Sequence, residues 1–199
     1  MRLAWVVLLV GCGFNSPVGK IGDQTGGASD APVADFDYAT CPLNYNLQLP
    51  GPSRYRLIPQ GHAAWTQSDD CNDDLSGATH LVVLNTMTEL MDVSAFVNSA
   101  ADTAPGHSVW IGGVQPITAL TPKDGWLGFD GAPLLDTWEP GEPNDGNTET
   151  DHSEQFVNLE NAKRIADRPG NTNLGAVCEC DGKPVASNAA AAILASRSK

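Results

Sequence analysis

Residues 125–144 read GWLGFDGAPLLDTWEPGEPN. The stretch follows neither a helical nor an alternating period, and its Gly and Pro residues punctuate the chain into turns. It belongs to a longer segment, Gly113 to Pro140, that reads as loop with scattered Trp and Gly. A loop of this length counts against an element assignment unless the loop is functional. From Glu139 to Glu154 there follow six carboxylates with no Lys or Arg. Such a run is usually solvated. Here its Gly, Pro and Asn content describes a shaped loop, not a helix face, and it lies between segments that read as ordered.

Outward from this loop, periodicity supplies the elements. Arg54 to Ile58 reads as a strand. His62 to Leu75 places Trp65, Ser68, Cys71 or Asn72, and Leu75 at helical spacing, and Gly77 supplies a stop. His80 to Leu84 is a short apolar strand. Thr88 to Ala100 sets Leu90, Val93, Phe96 and Val97 on one helical face, with Glu89 suited to the N-terminal dipole. Ser108 to Gly112, Gln155 to Leu159 and Gly175 to Cys180 read as strands. Two helices followed by strands and irregular chain make an α+β pattern.

The chain has 199 residues, with 11 Lys+Arg against 24 Asp+Glu and a formal charge of -13. The acidity belongs to the middle: Cys41 to Cys180 holds 19 acids and six bases. Nucleic acid is excluded as a partner, because phosphate neutralisation needs a basic surface. Electrostatic docking on anionic lipid is excluded for the same reason. Hard cations remain compatible. His62, His80, His107 and His152 are scattered, with no His-Glu-x-x-His spacing. No Gly-x-Ser-x-Gly elbow accompanies Ser153 and His152, so no enzyme is expected. Asp69, Asp70, Asp73 and Asp74 read as a solvated helix face.

The ordered motifs resemble a C-type lectin-like domain. Trp65 and Cys71 match its helix motif, and Trp110-Ile111-Gly112-Gly113 its Trp-Ile-Gly strand. Gly125-Trp126, Asp130-Gly131-Ala132-Pro133-Leu134 and Trp138 match the run into its long loop. Gly141-Glu142-Pro143-Asn144 matches the sugar-binding loop, Glu154 to Leu159 the next strand, and Val177-Cys178-Glu179 the closing strand. The resemblance spans about residues 41–180 and implies the C-type lectin-like fold: two helices, antiparallel strands and a long irregular loop region.

With Cys12 set aside, four Cys allow three pairings. The resemblance implies Cys71–Cys178, leaving Cys41 with Cys180 to staple the domain ends. The family's second internal disulfide would fall near Phe156 and Gly170, and neither is Cys, so the long loop is expected to rely on metal for its order. The resemblance also implies a calcium ion held by Glu142, Asn144, Glu154 and Asp167. The family's remaining ligand, an Asn, falls on Ala166, which has no side-chain oxygen. Glu149 is the alternative to Glu154, because the loop is longer than is usual in the family. Calcium takes six to eight oxygens, and an open position can be filled by vicinal sugar hydroxyls. Glu-Pro-Asn resembles the mannose-type selector. Pro143 is cis in the family. Gln155 stands where some members carry a calcium-binding Asp, which argues against an auxiliary ion. Glu142, Asn144, Glu154 and Trp138 are the candidate ligand-binding residues.

Residues 1–11 read as a signal peptide, with the apolar run Leu3 to Val10 too short to span a bilayer, which takes about 20 residues. Leu9-Val10-Gly11-Cys12 resembles the lipobox of bacterial lipoproteins, implying lipidation of Cys12; an ordinary secretory signal is the alternative. With Gly13 after it, the resemblance implies sorting to the outer membrane in a Gram-negative bacterium, with the protein facing outside or the periplasm. Residues 12–40 read as a disordered tether and 181–199 as a disordered tail, in which alanine-rich Asn188 to Ala195 forms only a marginal isolated helix. The expectation is a cell-surface, calcium-assisted carbohydrate-binding domain, its partner a glycan or a surface protein, touching membrane through its lipid anchor only. The alternative is a calcium-independent protein-binding or adhesion module on the same fold.

Overall fold

The computed structural model describes residues 36–100, 108–147, 155–160 and 164–197. Cys12 with its lipobox, Glu149 and Glu154 lie outside the described residues. In chain order the elements are β1 (Leu47–Gln48), β2 (Arg54–His62), α1 (Ala64–Asp74), β3 (Thr79–Leu81), α2 (Met87–Ser99), β4 (Val109–Val114), β5 (Leu127–Gly128), β6 (Phe156–Glu160), β7 (Arg164–Arg168), β8 (Leu174–Cys180) and α3 (Ser187–Ser196). One sheet runs β1-β2-β8-β4-β6-β7, with β3 also on β8 and β5 on β4. Every pairing is antiparallel except β4 with β8, where Val109 faces Gly175 and Trp110 faces Ala176.

The helices form for identifiable reasons. Thr86 caps α2 by accepting from the Glu89 amide at 3.1 Å, and Leu90, Val93 and Val97 turn into the core. Helix α1 has a weakly apolar face and is held by specific contacts. Buried Gln67 donates to the carbonyls of Gln60 at 2.7 Å and Leu174 at 2.9 Å, and Cys71 bonds to Cys178. Its acidic face is more engaged than a solvated one. Arg56 pairs with Asp70 at 3.1 Å and Asp74 at 2.6 Å, and Arg197 with Asp69 at 2.5 Å.

Two disulfides, Cys41–Cys180 and Cys71–Cys178, close the domain with Cα separations of 6.0 and 5.5 Å. At the two positions where the resemblance led toward a further disulfide, Phe156 lies directly on Gly170. A Cβ on Gly170 would come within 2.6 Å of that ring and 2.7 Å of Trp65. Aromatic packing joins these two positions.

The ends of the described chain depart from expectation. Residues 187–196 form a helix that buries Ala189, Ala192 and Ile193 in the same core as Trp110, Phe129 and Cys41. The Ala186 amide donates to the Phe129 carbonyl at 2.7 Å. Small alanine side chains let this helix lie close to its neighbours, and burial supplies what an isolated short helix lacks. Likewise Phe36 packs on Gly182, and Asp37 caps a short turn through Tyr38–Thr40. Residues 36–40 and 187–196, expected in the tether and the tail, are therefore packed parts of the domain.

Candidate functional site

The long loop returns to the sheet along β7. The Glu139 amide donates to the Ile165 carbonyl at 2.9 Å and the Ile165 amide to the Thr137 carbonyl at 3.2 Å. Trp138 forms a parallel bridge with Ile165, and Arg164 donates to the Trp138 carbonyl at 3.1 Å. The Glu142 amide donates to the Glu139 carbonyl at 2.9 Å across a turn in which Gly141 takes a φ of 99°. That left-handed backbone favours glycine. The Glu142–Pro143 peptide is cis.

Asp167 ties the loop tip down. It is 1% exposed. Its carboxylate accepts from the Asn144 amide at 3.1 Å to each oxygen, and from the Asp145 amide at 2.7 Å. The Asn144 side-chain amide donates to a Glu142 carboxylate oxygen. Glu142, Asn144 and Asp167 are thus joined in one hydrogen-bonded chain. Glu154, the fourth expected ligand, lies outside the described residues. Ala166 sits in regular register opposite Asn158 and offers no side-chain oxygen. The three residues fit a hard divalent cation by donor chemistry, two carboxylates and an amide. The loop also has contacts of its own that need no ion.

Beside this tip lies a groove of about 860 Å³. Trp126, Leu134, Trp138, Glu142 and Pro143 are among the residues that line it. Trp138 is half-buried and packs against Trp126, with ring centroids 5.0 Å apart at 59°. Trp126 donates through Nε1 to the Pro122 carbonyl at 2.7 Å. Fully buried Gln115 reaches the carbonyls of Thr121, Pro122 and Asp124 through its Nε2 at 2.9, 3.1 and 2.8 Å. Sequence reading passed over Gln115, because an isolated Gln at a strand end carries no periodic signal.

A second polar centre was also missed. Among the described residues, His80, Glu179 and Asp181 place ligand-type atoms within 4.8 Å of one another, all buried. His80 Nδ1 lies 2.8 Å from the Leu81 carbonyl, and Nε2 lies 3.1 Å from Asp181. Lys183 pairs with Asp181 at 3.1 Å. Burial alone would lower the His80 pKa. The hydrogen bond and charge of Asp181, with Glu179, outweigh it and push the pKa up to about 9. Burial would likewise raise the Asp181 carboxyl, but His80 and Lys183 hold it below its usual range. With each charge matched, the centre reads as an internal ion-pair network. The signal available in sequence was the charged Glu179 between two Cys on the closing strand.

No protein-family model and no curated protein matches the chain. Solved structures do. Human lithostathine is 20% identical with a TM-score of 0.57, over 71% of this chain and 99% of that one. The C-type lectin CEL-I from Cucumaria echinata is 17% identical with a TM-score of 0.58, over 70% and 96%. A calcium-independent type II antifreeze protein is 22% identical with a TM-score of 0.54, over 71% and 94%. The chain has the C-type lectin-like fold.

Proposed function

We propose that this protein is a calcium-assisted carbohydrate-binding domain displayed on a bacterial cell surface. The observation that carries the reading is the joining of Glu142, Asn144 and Asp167 at the tip of the long loop. These residues would hold the ion, with Glu154 as the expected fourth. Bound calcium would supply an open coordination position for two neighbouring sugar hydroxyls. Glu142 accepts from and Asn144 donates to those hydroxyls, and the Glu-Pro-Asn order favours a mannose-type arrangement. No reaction is assigned. Cys12 would carry the lipid anchor, and the partner is a glycan on a facing surface. Titration of the mature chain with calcium and then with mannosides tests the reading; absence of calcium binding at millimolar concentration removes it.

A second reading, a calcium-independent protein-binding module, is favoured by two observations. Ala166 removes one ligand, and the Asp167 and Ile165 contacts hold the loop without an ion. Retention of partner binding in chelator would select it.

A further inference from the structure

We propose that this chain self-associates head to tail, the exposed turn Pro116–Pro122 of one copy seating Leu120 in a groove between α1 and α3 of the next. This contact needs neither calcium nor sugar and stands apart from the carbohydrate reading. The turn reads Pro-Ile-Thr-Ala-Leu-Thr-Pro, with no charged residue. Leu120 is 87% exposed, and Ile117 is exposed as well. The turn is nevertheless firmly held. The Ala119 amide donates to the Pro116 carbonyl at 2.9 Å and the Asp124 amide to the Thr121 carbonyl at 3.1 Å. Fully buried Gln115 donates through Nε2 to the carbonyls of Thr121 and Pro122. Little ordering of the turn is therefore needed on binding.

The groove is the counterpart. Val185, Ala190, Ile193 and Leu194 line it together with Ser68 and Asn72 of α1, and its volume is about 240 Å³. That is below the roughly 300–1,000 Å³ of sites for drug-sized ligands and above the roughly 150 Å³ of a cavity that takes benzene, so it suits an aliphatic side chain. Leu194 is 65% exposed. Helix α3 is apolar around its whole circumference from Ala189 to Ala195, the pattern of a helix covered on every side. Charge points to a second copy as the occupant. At a formal charge of -13, two copies repel over most of their surface. The turn carries no carboxylate, and the single one lining the groove, Asp69, is paired with Arg197 at 2.5 Å. Here two acidic copies can meet without opposed carboxylates, and Lys123, exposed directly after the turn, complements the acidic face of α1. The turn is tied through Pro122 to Trp126, in the core cluster on one face of the sheet, whereas α1 and α3 pack in the cluster on the other. Each pair of copies then leaves one turn and one groove unfilled, so the contact repeats. One turn in one groove makes a small interface and a weak contact.

Sedimentation velocity of the mature chain in chelator tests this, with Cys12→Ser throughout to remove the lipid and stray thiol pairing. The sedimentation coefficient should rise from micromolar to millimolar concentration and pass that of a dimer. Leu120→Asp removes the inserted side chain and Leu194→Asp spoils the groove. Both positions are exposed, so each variant keeps its fold. Each alone should have its self-association weakened by about tenfold or more, the worth of one buried Leu side chain. Mixed in equal amounts, the two variants should form a dimer and nothing larger, because one still has the groove and the other still has the turn. A parent chain that stays monomeric to millimolar concentration, or that stops at a dimer, would overturn the proposal. So would undiminished self-association of either variant, or a mixture in which no dimer forms.

Discussion

Replacing Asp167 by Asn separates a structural role from a metal role. In the native chain one buried carboxylate accepts from the Asn144 and Asp145 amides, the latter at 2.7 Å. Asn is nearly the same shape. It removes the charge but keeps a carbonyl where one oxygen accepts from both amides, so both bonds survive as neutral ones, and only the second contact of the Asn144 amide meets an NH₂ group. Hydrogen bonds to a charged acceptor contribute about 1.5–3 kcal/mol against about 0.5–1.5 kcal/mol for neutral ones. A loss of about 2 kcal/mol follows over the two bonds, or roughly 4–8 °C in Tm at 2–4 °C per kcal/mol for a domain of this size. Thermal melts in excess chelator should show that drop before any calcium is added. Calcium should then raise the wild-type Tm by its binding to the native state, and raise that of Asp167→Asn far less. An unchanged Tm in chelator would refute the reasoning, since Asp167 would then not be what holds the loop tip.

Three further outcomes are expected. His80 titrates near 9 in the folded chain against about 6.5 unfolded. Its contribution to stability is therefore complete below about pH 6.5 and fades as pH rises through about 9; urea midpoints from pH 6 to 10 should fall more steeply for wild type than for His80→Gln. Gly170→Ala places a methyl within 2.6 Å of the Phe156 ring and should cost about 1–3 kcal/mol of overpacking in chemical denaturation. Ile193→Ala, at a side chain 5% exposed in α3, should cost about 2–4 kcal/mol, where a free tail would show no change.

Local signals made much of the fold legible. The apolar face of α2 and its Glu89 were visible in a window of a few residues, and the observed helix starts one residue from the expected place. The Trp110-Ile111-Gly112-Gly113 strand was visible as a motif, and the two disulfide pairs were implied by the resemblance it carries; the structure contains both. Strand β7 was not read, although Ile165 and Asp167, two residues apart, share one of its faces. Five residues with three charges among them resemble a loop until Phe156–Glu160 pairs with them. Glu89 was read as a dipole partner only. Tertiary structure adds its bond from the Tyr55 hydroxyl at 2.9 Å, from a strand 34 residues away.

The composition and periodicity of this chain were enough to determine its acidic, loop-rich α+β character and the order of its first two helices and main strands. These depend on neighbours a few positions apart. Only the tertiary structure decided that Asp167 clasps the amides of Asn144 and Asp145, that an alanine-rich helix closes the core, and that His80 meets Asp181 across 101 residues. Each of these joins groups that carry little meaning alone. A carboxylate becomes a loop anchor, and an alanine run a stable helix, only when the rest of the fold removes water from them and supplies the partners that water had been.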